Sequence, residues 1–554
     1  MTRPANHEYD GAEARTSLLH SGAGMAGGTI LSRISGIFRD STVVAVIGFA
    51  TLSDTYSLGN ILPNIIYGLI IGGALNSVFV PQLVRHMKDD DDTGDAYADR
   101  LLTAVAIVLI AVAAAAVLAA PWIVHLYATS QYTPKDFNVA VAFARFCLPQ
   151  IVFYGMFTLL SQVLTARGKF IAPFYAPIVN NVVVIITAIA FLGVYGTGQT
   201  TATISPGEIA LLGTGTTLGV IAQALVLVPV MRASKYRWRP RFDFRHGGLG
   251  KAGGLAAWTI GLVLVNQATY VVITRLATSA NVLAAKAGMV PVGLTSYQKA
   301  NLLFILPHSV ITVSLVTALL PRMSRAAAAH RMSDVSGDIT QGMRLASAFL
   351  VPAAALMIVL GPRISRVLYG YGSASTQSAA ATGKIAAAFA LGLVPFTLYY
   401  VLLRGWYALE DTKTPFYVNL VLNVLNVAIA IPLFMLAGTA NKVIALALAS
   451  SAAFAVTVVV AWRLLGRRIG GLDSHQTIRT LVRMTIAAFI LGGVAFGVSA
   501  SLGRALPNGQ AGNLVTLGAA TLAGLGCYLG AAWAMRITEV TTMVADLRRK
   551  FRRT

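Results

Sequence analysis

The sequence predicts an all-α polytopic membrane protein of about 14 transmembrane helices, built as two parallel six-helix repeats plus two C-terminal helices. Three observations carry this. The chain of 554 residues is 56% hydrophobic and only 12% charged, with a mean hydropathy of +0.70, which no soluble enzyme with a single anchor reaches over its whole length. Apolar segments of spanning length fall at 24–47, 53–84, 100–126, 138–165, 172–195, 207–231, 251–279, 293–320, 338–361, 377–408, 416–436, 441–464, 478–502 and 512–535. Short motifs also recur. APFY at 172–175 returns as TPFY at 414–417, and Asn181 as Asn423, at a shared offset of 242; LPN at 62–64 returns as LPH at 306–308. Six spans separate the copies, and an even number preserves direction. The halves are therefore expected to be parallel repeats, an arrangement of secondary transporters that places the substrate site between them.

Charge sets the orientation and excludes one class. A net charge of +22 could serve nucleic acid only if the basic residues gathered on a folded polar surface, and here they are scattered between apolar segments. Arg232, Lys235, Arg237, Arg239, Arg241 and Arg245 follow the sixth segment, Arg322, Arg325 and Arg331 the eighth, and Arg467 and Arg468 the twelfth, while the alternate connections hold few cations. Both termini are expected to be cytoplasmic. The expected organisation is a mobile cytosolic tail over 1–21, six-helix lobes over 22–235 and 236–470, two additional helices over 471–536, and a basic interfacial tail over 537–554, where Val540, Met543, Val544, Leu547 and Phe551 fall at helical spacing. The polar start lacks an apolar core with a cleavage site, so no signal peptide is expected to be removed. Cys147 and Cys527 lie in separate predicted helices and support neither a disulfide framework nor a metal site.

The first segment holds the candidate site. At about 100° per residue, Ser32, Arg33, Ser35, Gly36, Arg39 and Asp40 fall within an arc of roughly 160°, with Ile30, Leu31, Ile34, Ile37 and Phe38 opposite. An arginine near the bilayer centre costs about 3 kcal/mol on insertion scales, so it is retained only where it faces a cavity or partner. Arg39 and Asp40 could instead neutralise each other; Arg33 has no acid beside it. The second segment places Asp54 near its outer end, and Pro63 with Gly72 and Gly73 argues for a bent or locally unwound helix. The acidic run KDDDDTGD at 88–95 reads as a solvated loop, since no second acidic motif matches it. Asn266 with Asn419, Asn423 and Asn426 could bind a sodium ion, or serve interhelical hydrogen bonding, the alternative favoured by the lack of a carboxylate.

SRISGIFRD (32–40), SD (53–54), LPN (62–64), FVPQ (79–82), LLPRMS (319–324) and DTKTP (411–415) resemble the MurJ (MviN) flippases of the multidrug/oligosaccharidyl-lipid/polysaccharide exporter superfamily. The resemblance covers most of the chain. It implies a transporter in the bacterial cytoplasmic membrane that moves lipid II, an undecaprenyl-diphosphate-linked peptidoglycan precursor. It also implies that Arg33, Arg39 and Asp40 line a cationic cavity, with Asp54 at a matching acidic position; Asn64 of the LPN motif and Asn301 are further candidate substrate-binding positions. Fork-shaped guanidinium donors suit a diphosphate. The chain departs from many relatives at Tyr67 and Gly72, where they carry an arginine and an acid, and at Asn301 and Leu302, where they carry an Asp-Arg pair. Lys299 lies three residues before Leu302, about 60° around the helix, and is expected to supply the missing charge or to snorkel toward the interface.

No cofactor is expected, with coupling to membrane potential or a monovalent ion; the bilayer and cell-wall synthesis proteins are the expected partners. A flippase for another prenyl-linked glycan differs only by local motifs. A membrane enzyme acting on prenyl-linked sugars would want a long, carboxylate-bearing outer loop, and a scaffold would not need arginines inside its first helix.

Overall fold

The computed structural model describes residues 7–71, 95–243, 253–507 and 509–542. In chain order its helices are α1 (His7–Ile47), α2 (Thr51–Ile71), α3 (Asp95–Leu118), α4 (Ala120–Tyr127), α5 (Pro134–Cys147), α6 (Gln150–Ala166), α7 (Ala172–Tyr195), α8 (Pro206–Leu225), α9 (Leu227–Ala233), α10 (Gly253–Lys286), α11 (Leu294–Ala328), α12 (Met332–Tyr369), α13 (Thr376–Ala390), α14 (Leu393–Ala408), α15 (Lys413–Leu436), α16 (Lys442–Ile469), α17 (Ser474–Ala505) and α18 (Gln510–Ala534). Among the described residues there is no strand. Among the described residues eleven helical spans are long and apolar enough to cross a membrane, and α13 with α14 makes a twelfth if that bent pair is one span. These fall on the third to fourteenth of the expected segments. The first is also helical, as is the second up to Ile71, but α1 carries Arg33, Arg39 and Asp40 and α2 carries Asp54, Asn60 and Asn64, which lower their hydropathy.

Two differences from the sequence expectation concern the ends. α1 begins at His7, within the stretch expected to be a mobile tail, because Glu8, Ala12, Glu13, Ala14 and Arg15 are good helix formers that extend a helix already nucleated downstream. At the other end the chain turns at Arg536 (φ 52°) and is helical again over 538–542. Ile537 and Val540 are buried against Met484, Ala487 and Tyr528, so protein takes the place expected of the lipid interface. Met543, Val544, Leu547 and Phe551 lie outside the described residues, as do Gly72, Gly73, FVPQ and all of the acidic run except Asp95.

The chain divides into two compact units. The first comprises Met1–Ile47, Thr55–Leu126 and Thr133–Val263. Its core joins Ala98 and Leu102 of α3 to Leu159, Val163 and Leu164 of α6 and Leu227 and Met231 of α9. α5 and α8 open with capping boxes, Thr133 with Asp136 and Ser205 with Glu208, each with proline in the first turn. α1 packs along α7 through glycines: a Cβ on Gly28 would stand 2.7 Å from the Tyr175 ring.

The second unit comprises Gly48–Asp54, Tyr127–Tyr132 and Leu264–Thr554. Trp406 of α14 is buried among Met323 of α11, Ile339 and Met343 of α12 and Leu465 of α16. α17 and α18 pack on α12, where Arg363 donates to the Ser499 hydroxyl at 2.7 Å and its carbonyl at 2.8 Å. Gln510 donates to the carbonyl of Gly370 at 2.8 Å, satisfying the end of α12. α13 and α14 meet at 48°, and the Ser451 hydroxyl donates to the Ala388 carbonyl at 2.9 Å beside that break. Irregular backbone at membrane depth needs such a partner. Leu118, Trp122, Leu436 and Phe489 are each more than three-quarters exposed, a surface that suits lipid.

Candidate functional site on the first helix

α1 sorts its residues by face. Ile30, Leu31, Ile34 and Phe38 are exposed, and Ser35, Gly36 and Asp40 turn toward α7. Asn181 of α7 joins that polar side, donating to the Ser35 hydroxyl at 2.8 Å and to the Ser32 carbonyl at 3.2 Å. Its amide oxygen accepts from Arg39 Nη1 at 3.1 Å. Arg39 Nε and Nη2 donate to Asp40 Oδ1 at 3.1 and 2.9 Å. The carboxylate offsets the guanidinium's charge, and the carboxylate and amide together fix its plane. Three of its five N–H groups are thereby engaged, and one on each terminal nitrogen has no partner among the described residues. The Arg39 side chain remains 33% accessible. A preorganised fork with two outward donors is suited to an oxyanion.

Arg33 is not brought to this cluster. It is exposed and has no ion pair among the described residues. Six residues place it about 120° from Arg39 and about 60° from Ile30, at the edge of the polar arc.

Asp54 has a different setting from a free ligand. It is fully buried, and its carboxylate accepts the N–H of Leu294 at 3.0 Å, the N–H of Thr295 at 2.8 Å and Asn281 Nδ2 at 2.8 Å. It caps α11 from another segment, and its geometry is that of a structural clasp. α2 is unbroken helix through Pro63, which is buried, and Asn64 is exposed on it. Tyr67 places its hydroxyl 2.6 Å from that of Thr158. In the second unit Lys299, Asn301 and Leu302 are half-buried on α11. Of the sodium candidates, Asn423 Nδ2 donates to Asn266 Oδ1 at 2.8 Å and Asn419 Oδ1 at 3.0 Å. The first of these bonds crosses between α15 and α10, the second stays within α15, and the buried Asn426 Oδ1 has no hydrogen-bond partner among the described residues.

Sequence reasoning missed Asn281, whose only signal is an amide in an apolar helix, and it noted Asn181 solely as a repeat marker. Arg404 of α14 is a further cation of the second unit. The structure lays that guanidinium over the rings of Tyr400 and Tyr407, with centroids at 4.4 and 5.5 Å.

Helices long and apolar enough to cross a membrane, with a guanidinium clamp on the first helix, are the frame of a polytopic membrane protein of the transporter class. Residues 43–509 match the family model described as lipid II flippase MurJ, and the chain belongs to that family. The match begins after Arg39, so the role of the first-helix arginines rests on their own geometry. The probable lipid II flippase MurJ of Rhizobium meliloti (strain 1021) is 25% identical over 422 residues, 76% of each chain. The lipid II flippase MurJ of Burkholderia cenocepacia is 25% identical over 400 residues, 71% of this chain and 73% of the relative. A solved lipid II flippase MurJ in an inward closed conformation superposes with a TM-score of 0.70 at 20% identity, covering 92% of this chain and 97% of the other. An inward-facing multidrug resistance MATE family transporter of the MOP superfamily gives a TM-score of 0.56 at 13% identity, covering 79% and 94%. These two likenesses concern the fold.

Proposed function

We propose that the chain moves lipid II from the inner to the outer leaflet of the bacterial cytoplasmic membrane by alternating access, with Arg39 taking the diphosphate and Arg33 meeting it from the edge of the same helix. The observation that carries this is the Arg39 clamp. Asp40 and Asn181 orient a guanidinium that still offers two N–H groups, on a helix whose opposite face is apolar. Arginine costs about 3 kcal/mol near the bilayer centre, and a diphosphate that accepts its remaining donors supplies the reason to keep it. Asn64, Lys299 and Asn301 are further headgroup contacts in this reading, and no cofactor takes part. Membrane potential or a monovalent ion drives the cycle, and the cell-wall enzymes that consume lipid II are the partners. The arginines of the strap after α9 and those in the last turns of α11 and α16 support an orientation with both termini in the cytoplasm.

Depleting the protein should make lipid II accumulate on the inner leaflet; unchanged leaflet distribution would refute transport. Cysteine probes near Arg237 should be shielded from an impermeant reagent and one near Thr197 should react. Labelling at Arg237 from outside would reverse the orientation.

A further inference from the structure

The first unit contains a cavity of about 640 Å3, separate from the Arg39 clamp, whose body is apolar and whose rim is basic. Met156 and Leu160 of α6, with Leu225 and Val228 where α8 passes into α9, form the body. Arg232 and Arg237 stand at the rim beside Trp238. Both arginines are exposed and have no ion pair among the described residues.

The rim is built in advance. Tyr236, fully buried, donates its hydroxyl to Asp99 at 2.7 Å, and the Arg167 guanidinium lies over its ring at 4.7 Å. Trp238 Nε1 donates to the Thr103 hydroxyl at 3.3 Å. The backbone N–H groups of Arg239 and Arg241 donate to Asp99 and Thr103, both at 3.1 Å. The strap after α9 is therefore stitched to α3, while the Arg237 side chain is left free to meet a ligand. The volume lies in the ~300–1,000 Å3 range of pockets that enclose a small ligand or part of a larger one. An indole and two cations over an apolar slot are the chemistry of a lipid anchored at the water boundary.

We propose that this cavity binds one anionic phospholipid, with its phosphate between Arg232 and Arg237 and an acyl chain along Met156, Leu160, Leu225 and Val228. The occupied leaflet, the inner one, follows from the orientation proposed above; the binding itself does not depend on it.

Native mass spectrometry of the full chain in detergent, titrated with phosphatidylglycerol or with phosphatidylcholine of the same acyl chains, tests this. The protein should retain one phosphatidylglycerol in preference to phosphatidylcholine, and Arg232→Gln with Arg237→Gln should weaken that retention by roughly tenfold or more. Val228→Trp, which fills the slot and keeps both arginines, should also lose it, whereas Arg239→Gln, outside the cavity, should not. Equal retention of the two lipids would overturn the proposal. So would a Val228→Trp protein, of unchanged elution and helicity, that binds like wild type. Full competition by glycerophosphoglycerol, the soluble headgroup, would leave a phosphate site with no acyl chain and would overturn it as well.

Discussion

The Asp54 carboxylate accepts the backbone N–H of Thr295 at 2.8 Å, closing the start of α11 with a side chain from a segment 241 residues earlier. The N-cap of α11, Gly293, has no side chain to do this. It cannot acquire one, since a Cβ there would run into Asp54 and would stand 2.6 Å from Asn281 Cβ. Asn281 completes the clasp by donating to the Phe49 carbonyl at 3.0 Å as well as to Asp54. The positive end of a helix favours the anion held there.

Asp54→Ala strands two N–H groups and an amide in a buried place and should lower stability by about 1–3 kcal/mol. Gly293→Ala should also destabilise, through steric overlap and not through a lost bond. Thermal unfolding in detergent measures both. A wild-type Tm for Asp54→Ala would show that the clasp contributes nothing.

Asp411 gives a pH signature outside the membrane. Burial pushes its carboxyl up, but the Thr414 hydroxyl and the N–H groups of Thr414 and Lys413 outweigh it and hold the group below its ordinary value. A depressed folded pKa stabilises above the unfolded value and is lost as pH falls through the folded one. The stability gap between wild type and Asp411→Ala, under about 1 kcal/mol for so exposed a group, should therefore shrink as pH drops below about 4. Melting curves from pH 3 to 6 check this (~pH range set by the carboxylate); a gap that widens with acid would contradict it.

Arg344 of α12 and Glu539 form an ion pair at 3.2 Å with both side chains largely buried, although Arg344 Nε makes no hydrogen bond. The pair ties the start of the C-terminal segment to the second unit. A double-mutant cycle with Arg344→Ala and Glu539→Ala should give a coupling of about 1–3 kcal/mol. Additive single effects would mean that burial of Ile537 and Val540 alone holds the segment.

Lys299 bears on the departure at Leu302. If it serves the headgroup, Lys299→Ala should impair complementation of a flippase-depleted strain, and adding Leu302→Arg should restore much of it, because the two positions are about 60° apart on neighbouring turns. Silent Lys299→Ala would remove it from the site.

What the sequence disclosed and what it withheld have physical causes. The polar arc of α1 was legible because a 3.6-residue period assigns Ser35, Arg39 and Asp40 to one side, and the lipid-facing residues opposite match it. The repeat markers Asn181 and Asn423 both bind across helices. The same period placed Arg33 at the arc's border, where the structure leaves it exposed, so two arginines on one helix were read as more alike than they are. The clasp of Asp54 was hidden because its partners, Asn281, Leu294 and Thr295, lie more than 220 residues away and no local pattern links them. The Ser451 contact at the break between α13 and α14 was hidden for the same reason.

The clamp of Arg39 by Asp40 and Asn181 is tested most directly by removing the charge pair together, so that no buried carboxylate is stranded. In cells depleted of their own flippase, Arg39→Gln with Asp40→Asn should reach the membrane in wild-type amount yet fail to expose lipid II on the outer leaflet, while Arg39→Lys, which keeps the charge but loses the fork, should fall between the two. Lipid II exposure at the wild-type level in the Arg39→Gln, Asp40→Asn protein would contradict the account.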